Sequence, residues 1–94
     1  MAREYLVLHS DCPVCSHPFM ENVKREARKL GIRVVLCKPG SRKRVCRVVR
    51  AFPAIVRRRN GGYEEVVTGA NRIISYLVSK SLVRRLDGVA WEWM

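Results

Sequence analysis

The sequence Cys12-Pro13-Val14-Cys15 decides how the rest of the chain is interpreted. An apolar run at residues 5–8 precedes it, and a stretch with helical spacing of apolar residues follows it. Two thiols separated by two residues at the first turn of a helix can form a disulfide, and the unpaired N–H groups of that turn favour a thiolate at Cys12. Because a thiolate is a nucleophile, a strand followed by CxxC and a helix predicts thiol–disulfide exchange.

Size and composition limit the classes of protein to consider. The chain has 94 residues, 48% of them hydrophobic, which predicts one domain over residues 1–94 with its core at about 3–86 and a tail at 87–94. No apolar run approaches the roughly 20 residues that span a membrane, and the N-terminus lacks the apolar region of a secretory signal. We therefore expect a cytoplasmic protein that does not associate with membranes. The formal net charge of +11 favours acidic partners.

Hydrophobic periodicity and turn residues predict an alternating order of elements: strand, helix, strand, helix, strand, strand, helix. Gly31 is a C-terminal cap for the first helix, Pro53 ends the second, and Asn60-Gly61-Gly62 is typical of a hairpin turn. The predicted ranges are a strand at 3–9, a helix from the CxxC to residue 30, a strand at 32–37, a helix at 42–51, strands from 54 and at 63–68, and a helix at 70–86.

This order predicts an α/β fold. A crossover helix makes the first two strands parallel, and the hairpin adds antiparallel strands, so the expected architecture is a four-stranded mixed sheet with helices on both faces. The element order, the CPxC motif of Cys12 to Cys15 and the pair Phe52-Pro53 before the third strand together resemble the thioredoxin superfamily, at its small glutaredoxin-like end. The resemblance covers residues 3–86 and implies the thioredoxin fold.

The resemblance implies roles for individual residues. Cys12 matches the more exposed cysteine, which attacks a substrate disulfide, and Cys15 matches the buried cysteine that resolves the mixed disulfide. Pro13 matches the family's CPxC form and helps to tune the redox potential. Pro53 matches the family's cis-proline beside the dithiol, where the backbone of Phe52 is free to pair with an extended substrate.

Further positions complete the substrate site that the resemblance implies. Thr68-Gly69 matches the turn from the last strand into the last helix, beside the substrate groove, and Val14 stands where glutaredoxins carry an aromatic residue. Asp11 stands near the place of a basic residue that binds a glutathione carboxylate, which argues against glutathione as a ligand. We therefore expect a monomer without a prosthetic group that reduces protein disulfides, with a reductase or a small thiol to recycle it.

The other two cysteines allow several interpretations. Cys37 and Cys46 are each, by default, packed free thiols. A strand end and the following helix can also bring two Cα atoms within the roughly 4.4–6.8 Å that a disulfide requires, so a second disulfide is an alternative, structural or redox-active. The third alternative is a zinc ion held by all four thiolates.

Basic residues are densest from Arg42 to Arg59. A solvated surface is the simplest interpretation, and steering toward an acidic substrate protein is the functional one. Nucleic acid is disfavoured because aromatic residues that could stack on bases do not alternate with these cations; Phe52 is the single aromatic residue in the run. Two alternatives to an oxidoreductase stay open: a zinc-stabilised basic module that binds nucleic acid, and a non-catalytic thioredoxin-fold interaction domain. His17 and His9 are interpreted as solvated residues rather than proton shuttles.

Overall fold

The computed structural model describes residues 3–89, with side chains as far as residue 82. The predicted order of elements is confirmed, and their ranges are β1 Arg3–His9, α1 Met20–Lys29, β2 Arg33–Cys37, α2 Arg44–Val48, β3 Ala54–Arg59, β4 Gly62–Thr68 and α3 Ala70–Val89. None of the helices in this part of the chain combines the length and the apolar character that crossing a membrane requires.

The strands form a four-stranded mixed sheet in the order β2-β1-β3-β4. β1 and β2 are parallel, with His9 opposite Cys37, whereas β3 runs antiparallel to both β1 and β4. The predicted mixed sheet is therefore confirmed. The carboxyl ends of β1 and β2 lie at the same end of the sheet as Ala54, the first residue of β3, which is opposite Val7 and Thr68.

Alternate residues of the central strands pack against different helices. Leu6, Leu8 and Ile55 belong to one buried cluster with residues of α1 and α3. Val7, Ala54, Val56 and the α2 residue Val45 form the other cluster. Because successive side chains of a strand point to opposite faces, α1 and α3 cover one face of the sheet and α2 covers the other, as predicted.

The first helix begins later than predicted. The CxxC motif lies in a run of turns, and the regular helix starts only at Met20. Pro18 explains the delay, because it has no N–H to donate to the carbonyl four residues earlier and disfavours helical geometry at His17. The expectation that Cys12 occupies the first turn of a helix is therefore wrong.

The second helix is shorter than the predicted range 42–51. The Ser41 hydroxyl accepts a hydrogen bond from the N–H of Lys43 at 3.4 Å, which forms a turn before the helix instead of capping it. Val49 already has an extended backbone, with ψ at 125°. The chain leaves the helix there because it must reach Pro53 and enter the sheet at Ala54.

The last helix is longer than predicted. α3 continues through Val89, whereas the sequence places its end at residue 86 and a tail at 87–94. The remainder of that predicted tail, residues 90–94, lies outside the described residues.

A polar cluster joins α3 to the sheet. The Glu4 carboxylate accepts hydrogen bonds from Arg57 Nη2 at 2.9 Å, from the Tyr76 hydroxyl at 2.5 Å and from Lys80 Nζ. Burial alone would raise the pKa of Glu4, but these donors outweigh it and lower that pKa. One cation of the basic run, Arg57, is therefore neutralised inside the fold.

Candidate functional site

A loop of turns carries the CxxC motif at the carboxyl end of β1. We call residues 10–19 the thiol loop. Its base is fixed to the sheet because the N–H of Ser10 donates to the carbonyl of Cys37 at 2.9 Å. Within the loop, the N–H of Ser16 donates to the Cys12 carbonyl at 3.2 Å. The Ser16 hydroxyl donates to the carbonyls of Cys12 and Pro13. These bonds hold the two cysteines on one tight turn.

The two thiols have different environments. Both are free, Cys12 half-buried and Cys15 buried with 6% of its surface exposed. The Cys12 thiol donates to the carbonyl of Phe52 at 3.6 Å, and the Cys15 sulfur accepts a hydrogen bond from the N–H of His9 at 3.4 Å. One thiol can therefore meet a substrate while the other is held behind it.

Burial controls the protonation of Cys15. Burial is the largest cause that raises the pKa of this thiol, and the neighbouring Cys12 thiol also raises it, so that the pKa is about 11 despite the opposing effect of the His9 N–H. Cys15 is therefore protonated at neutral pH.

A shallow groove of about 340 Å³ lies beside the thiols. It is lined by five of the residues that the resemblance assigned to substrate binding, together with the first turn of α3: Val14, Phe52, Pro53, Thr68, Gly69, Ala70, Asn71 and Arg72. Pro13 was assigned to the same site, but it is exposed on the thiol loop and is not among the lining residues. Val14 is 41% exposed, so it presents an apolar side chain at the rim.

The floor of the groove is formed where β3 and α3 begin. The peptide bond between Phe52 and Pro53 is cis, the conformation that the resemblance implied. The carbonyl of Pro53 accepts the N–H of Gly69 at 2.9 Å. Gly69 has a φ of +96°, in the region that favours glycine, which allows the sharp turn from β4 into α3. A hydrogen bond therefore joins the start of β3 to the turn that leads into α3.

Cys37 and Cys46 form a disulfide, with their Cα atoms 5.9 Å apart. The interpretation of these residues as packed free thiols is therefore wrong, and the alternative of a second bridge is the one observed. The bridge joins the end of β2 to α2, on the sheet face opposite α1 and α3. It also uses two of the sulfurs that a four-thiolate zinc site would need. In the part of the chain that the structure describes, no group of three or more His, Cys, Asp or Glu side chains is placed to hold a metal ion.

His9 was interpreted from the sequence as a solvated residue, but it is half-buried and lies beside the thiols. Its backbone contacts Cys15, and its ring packs against Phe52 with the ring centroids 4.9 Å apart. Its Nδ1 accepts the N–H of Asp11 at 3.0 Å. Its position as the last residue of β1 was the only available signal. His17, by contrast, is exposed and accepts the N–H of Phe19 just before α1.

Comparison with known proteins gives no family for this chain. No protein-family model matches the sequence, and no curated protein matches it. The chemistry of the two free thiols and of the groove beside them therefore carries the functional conclusion.

Proposed function

We propose that this protein is a thiol–disulfide oxidoreductase that reduces protein disulfides through Cys12 and Cys15, and that its α/β fold is a thioredoxin fold. The observation that carries the proposal is the pair of free thiols with unequal exposure, beside a groove that begins at Val14. The sheet order β2-β1-β3-β4 and the position of the CxxC directly after β1 support the fold.

Cys12 performs the first step. Its thiolate attacks one sulfur of a substrate disulfide, so that a bond between Cys12 Sγ and that sulfur forms while the substrate's S–S bond breaks. The second substrate sulfur leaves with the electron pair and takes up a proton. The carbonyl of Phe52, which accepts the Cys12 thiol at 3.6 Å, lies beside the attacking atom. A substrate in the groove would therefore pass within reach of Cys12.

Cys15 performs the second step. Its thiol loses a proton and the thiolate attacks Cys12 Sγ, which forms the Cys12–Cys15 disulfide and releases the first substrate sulfur as a thiolate. Two electrons have then passed from the dithiol to the substrate. The high pKa of Cys15, about 11, keeps this buried thiol protonated at neutral pH, so it does not compete with Cys12 for the substrate.

Recycling requires an external reductant, either a reductase or a small thiol, because the protein carries no prosthetic group in this proposal. Asp11 is exposed next to Cys12 and would repel the carboxylates of glutathione, so a protein reductant fits better. A reducing compartment such as the cytoplasm would maintain Cys12 and Cys15 as thiols, and in such a compartment the Cys37–Cys46 bridge persists only if its reduction potential is low.

In this mechanism, Cys12 and Cys15 supply the two electrons that reduce the substrate disulfide. After reaction of the fully folded protein with one equivalent of a protein disulfide, we expect a new disulfide between Cys12 and Cys15, with the Cys37–Cys46 bridge unchanged. Alkylation of the remaining thiols followed by peptide mapping would measure this. Substrate reduction that leaves both Cys12 and Cys15 as thiols would contradict the proposal.

A further inference from the structure

The structure divides the predicted basic run into two parts. At the hairpin, Arg57 is paired with Glu4, and Arg59 Nη1 lies 3.8 Å from a Glu64 carboxylate oxygen. Arg58 is opposite Arg3 in the sheet, at the end of β1 away from the thiol loop. The hairpin cations are therefore partly neutralised and distant from Cys12.

The other part, residues 42–50, surrounds α2, and together with the preceding residues 38–41 it forms a segment that we call the basic cap, residues 38–50. This segment contains no Asp or Glu. Its cations are all exposed, and none forms an ion pair with another described residue: Lys38, Arg42, Lys43, Arg44, Arg47 and Arg50. The Glu65 carboxylate accepts a hydrogen bond from the backbone N–H of Arg50 at 2.9 Å and does not pair with a cap side chain. Among the described residues, the cationic side chains of this surface therefore have no acidic partner.

The basic cap adjoins the thiol loop. The carbonyl of Cys37, directly before the cap, accepts the N–H of Ser10 at the base of that loop. A cavity of about 190 Å³ lies beside the cap, where His9 at the end of β1 and Phe52 face Cys37 and the cap residues Lys38, Gly40, Ser41 and Cys46. Because the Cys12 thiol donates to the carbonyl of Phe52, one residue contacts both the reactive thiol and the edge of the cap.

The Cys37–Cys46 bridge keeps the basic cap in position. α2 has only five residues, and its N-cap residue, Lys43, makes no side-chain capping hydrogen bond. A helix of this length has little stability of its own. The disulfide ties Cys46 in the middle of α2 to the end of β2, which fixes the cations relative to the sheet and to the thiol loop.

We propose that the basic cap is the docking surface for an acidic protein substrate, whose disulfide it brings to Cys12. This inference rests on the oxidoreductase function proposed above and names the substrate class of the same site. A cluster of Asp and Glu side chains near the substrate disulfide would complement the unpaired cations and speed up productive encounter. A protein fits better than nucleic acid because the cap contains no aromatic residue on which bases could stack.

Charge reversal at two different places distinguishes an effect of docking at the cap from an effect of the protein's net charge. In the test variant, Arg42→Glu and Arg44→Glu change the start of the cap, where acidic side chains are compatible with the beginning of a helix. The control variant carries Arg33→Glu and Arg58→Glu, at two exposed cations at the opposite end of the sheet. Its net charge changes by the same amount as that of the test variant. The substrates are two synthetic peptides with the same disulfide loop, flanked by Asp and Glu or by Lys.

We expect wild-type protein to reduce the acidic peptide with the higher kcat/KM at low salt. The cap variant should lose about tenfold in kcat/KM for this peptide, and the loss should shrink as salt screens the charges, whereas the control variant should change by less than about twofold. Reduction of neutral 2-hydroxyethyl disulfide should be the same for all three proteins.

Other outcomes would overturn the inference, and they differ from failure of the proposed function. Equal kcat/KM for the two peptides, or equal losses in the cap and control variants, would show that the cap does not select acidic substrates, although reduction of the neutral disulfide continues. Tight binding of a single-stranded oligonucleotide that only the cap variant loses, with peptide reduction unaffected, would assign the cap to nucleic acid. If wild-type protein did not reduce even the neutral disulfide, the oxidoreductase function itself would fail.

Discussion

We expect Cys12→Ser to lower the rate of protein-disulfide reduction to the uncatalysed background, a loss of at least about 1000-fold. A serine hydroxyl stays protonated near neutral pH and cannot form the mixed disulfide, whereas the rest of the site is unchanged. Cys15 cannot replace Cys12, because it is only 6% exposed and burial raises its pKa to about 11. The rate is measured for each protein as the precipitation of the insulin chains that are released when the insulin disulfides are reduced.

The matched control for this experiment is Cys15→Ser. That variant retains the attacking thiol, so it should still react once with a substrate disulfide but fail to turn over. Circular dichroism shows whether both variants are folded. A folded Cys12→Ser protein that reduces insulin at the wild-type rate would place the reaction elsewhere in the chain.

Removing the second disulfide has the largest expected effect on stability. Replacing both Cys37 and Cys46 with Ala should lower the free energy of unfolding by about 2–3 kcal/mol, because the bridge closes a loop with a sequence separation of 9 residues and restricts the unfolded chain. In a domain of this size such a loss corresponds to a decrease in Tm of roughly 10–20 °C. Thermal unfolding followed by circular dichroism measures it.

Two comparisons isolate the effect of the bridge. A strong reductant should lower the Tm of the wild-type protein toward that of the double variant and leave the variant unchanged. Replacing Cys12 and Cys15 with Ala, as a control, removes two free thiols and should change the Tm much less. A wild-type Tm that neither reductant nor the double substitution changes would show that the bridge does not stabilise the fold.

The order of elements could be predicted because local patterns are strong in this chain. Apolar residues recur at helical spacing through α1, and Asn60 and Gly61 both adopt the positive φ values that a tight hairpin requires. The predicted bounds of the first two helices differ from the observed ones. Pro18 delays the start of α1, and Ser41 turns the chain before α2. Side-chain periodicity alone therefore overestimated the lengths of both helices.

The site was predictable where residues are near one another in sequence or match a motif. The CxxC and the turn at Thr68-Gly69 are of this kind, and the groove beside the thiols does contain Val14, Phe52 and Gly69. The pairing of Cys37 with Cys46 depends on a distance in space, so the sequence left several alternatives. The contact of His9 with Cys15 depends on how the thiol loop folds back over the end of β1.

The division of the basic residues also required three-dimensional information. In the sequence, Arg42 to Arg59 is one continuous run of cations. Strand register places its last members at the far end of the sheet, and Glu4, which pairs with Arg57, is remote in sequence. Only the part around α2 is both exposed and close to the thiol loop.

The most direct test of the central claim is mass spectrometry of the Cys15→Ser protein after reaction with a disulfide-bonded peptide. When the disulfide joins two copies of one peptide, we predict one covalent adduct, whose added mass corresponds to a single peptide chain and which peptide mapping assigns to Cys12. The adduct should disappear on reduction and should not form in a protein that also carries Cys12→Ser. An adduct on Cys37 or Cys46, or no adduct at all, would contradict the account.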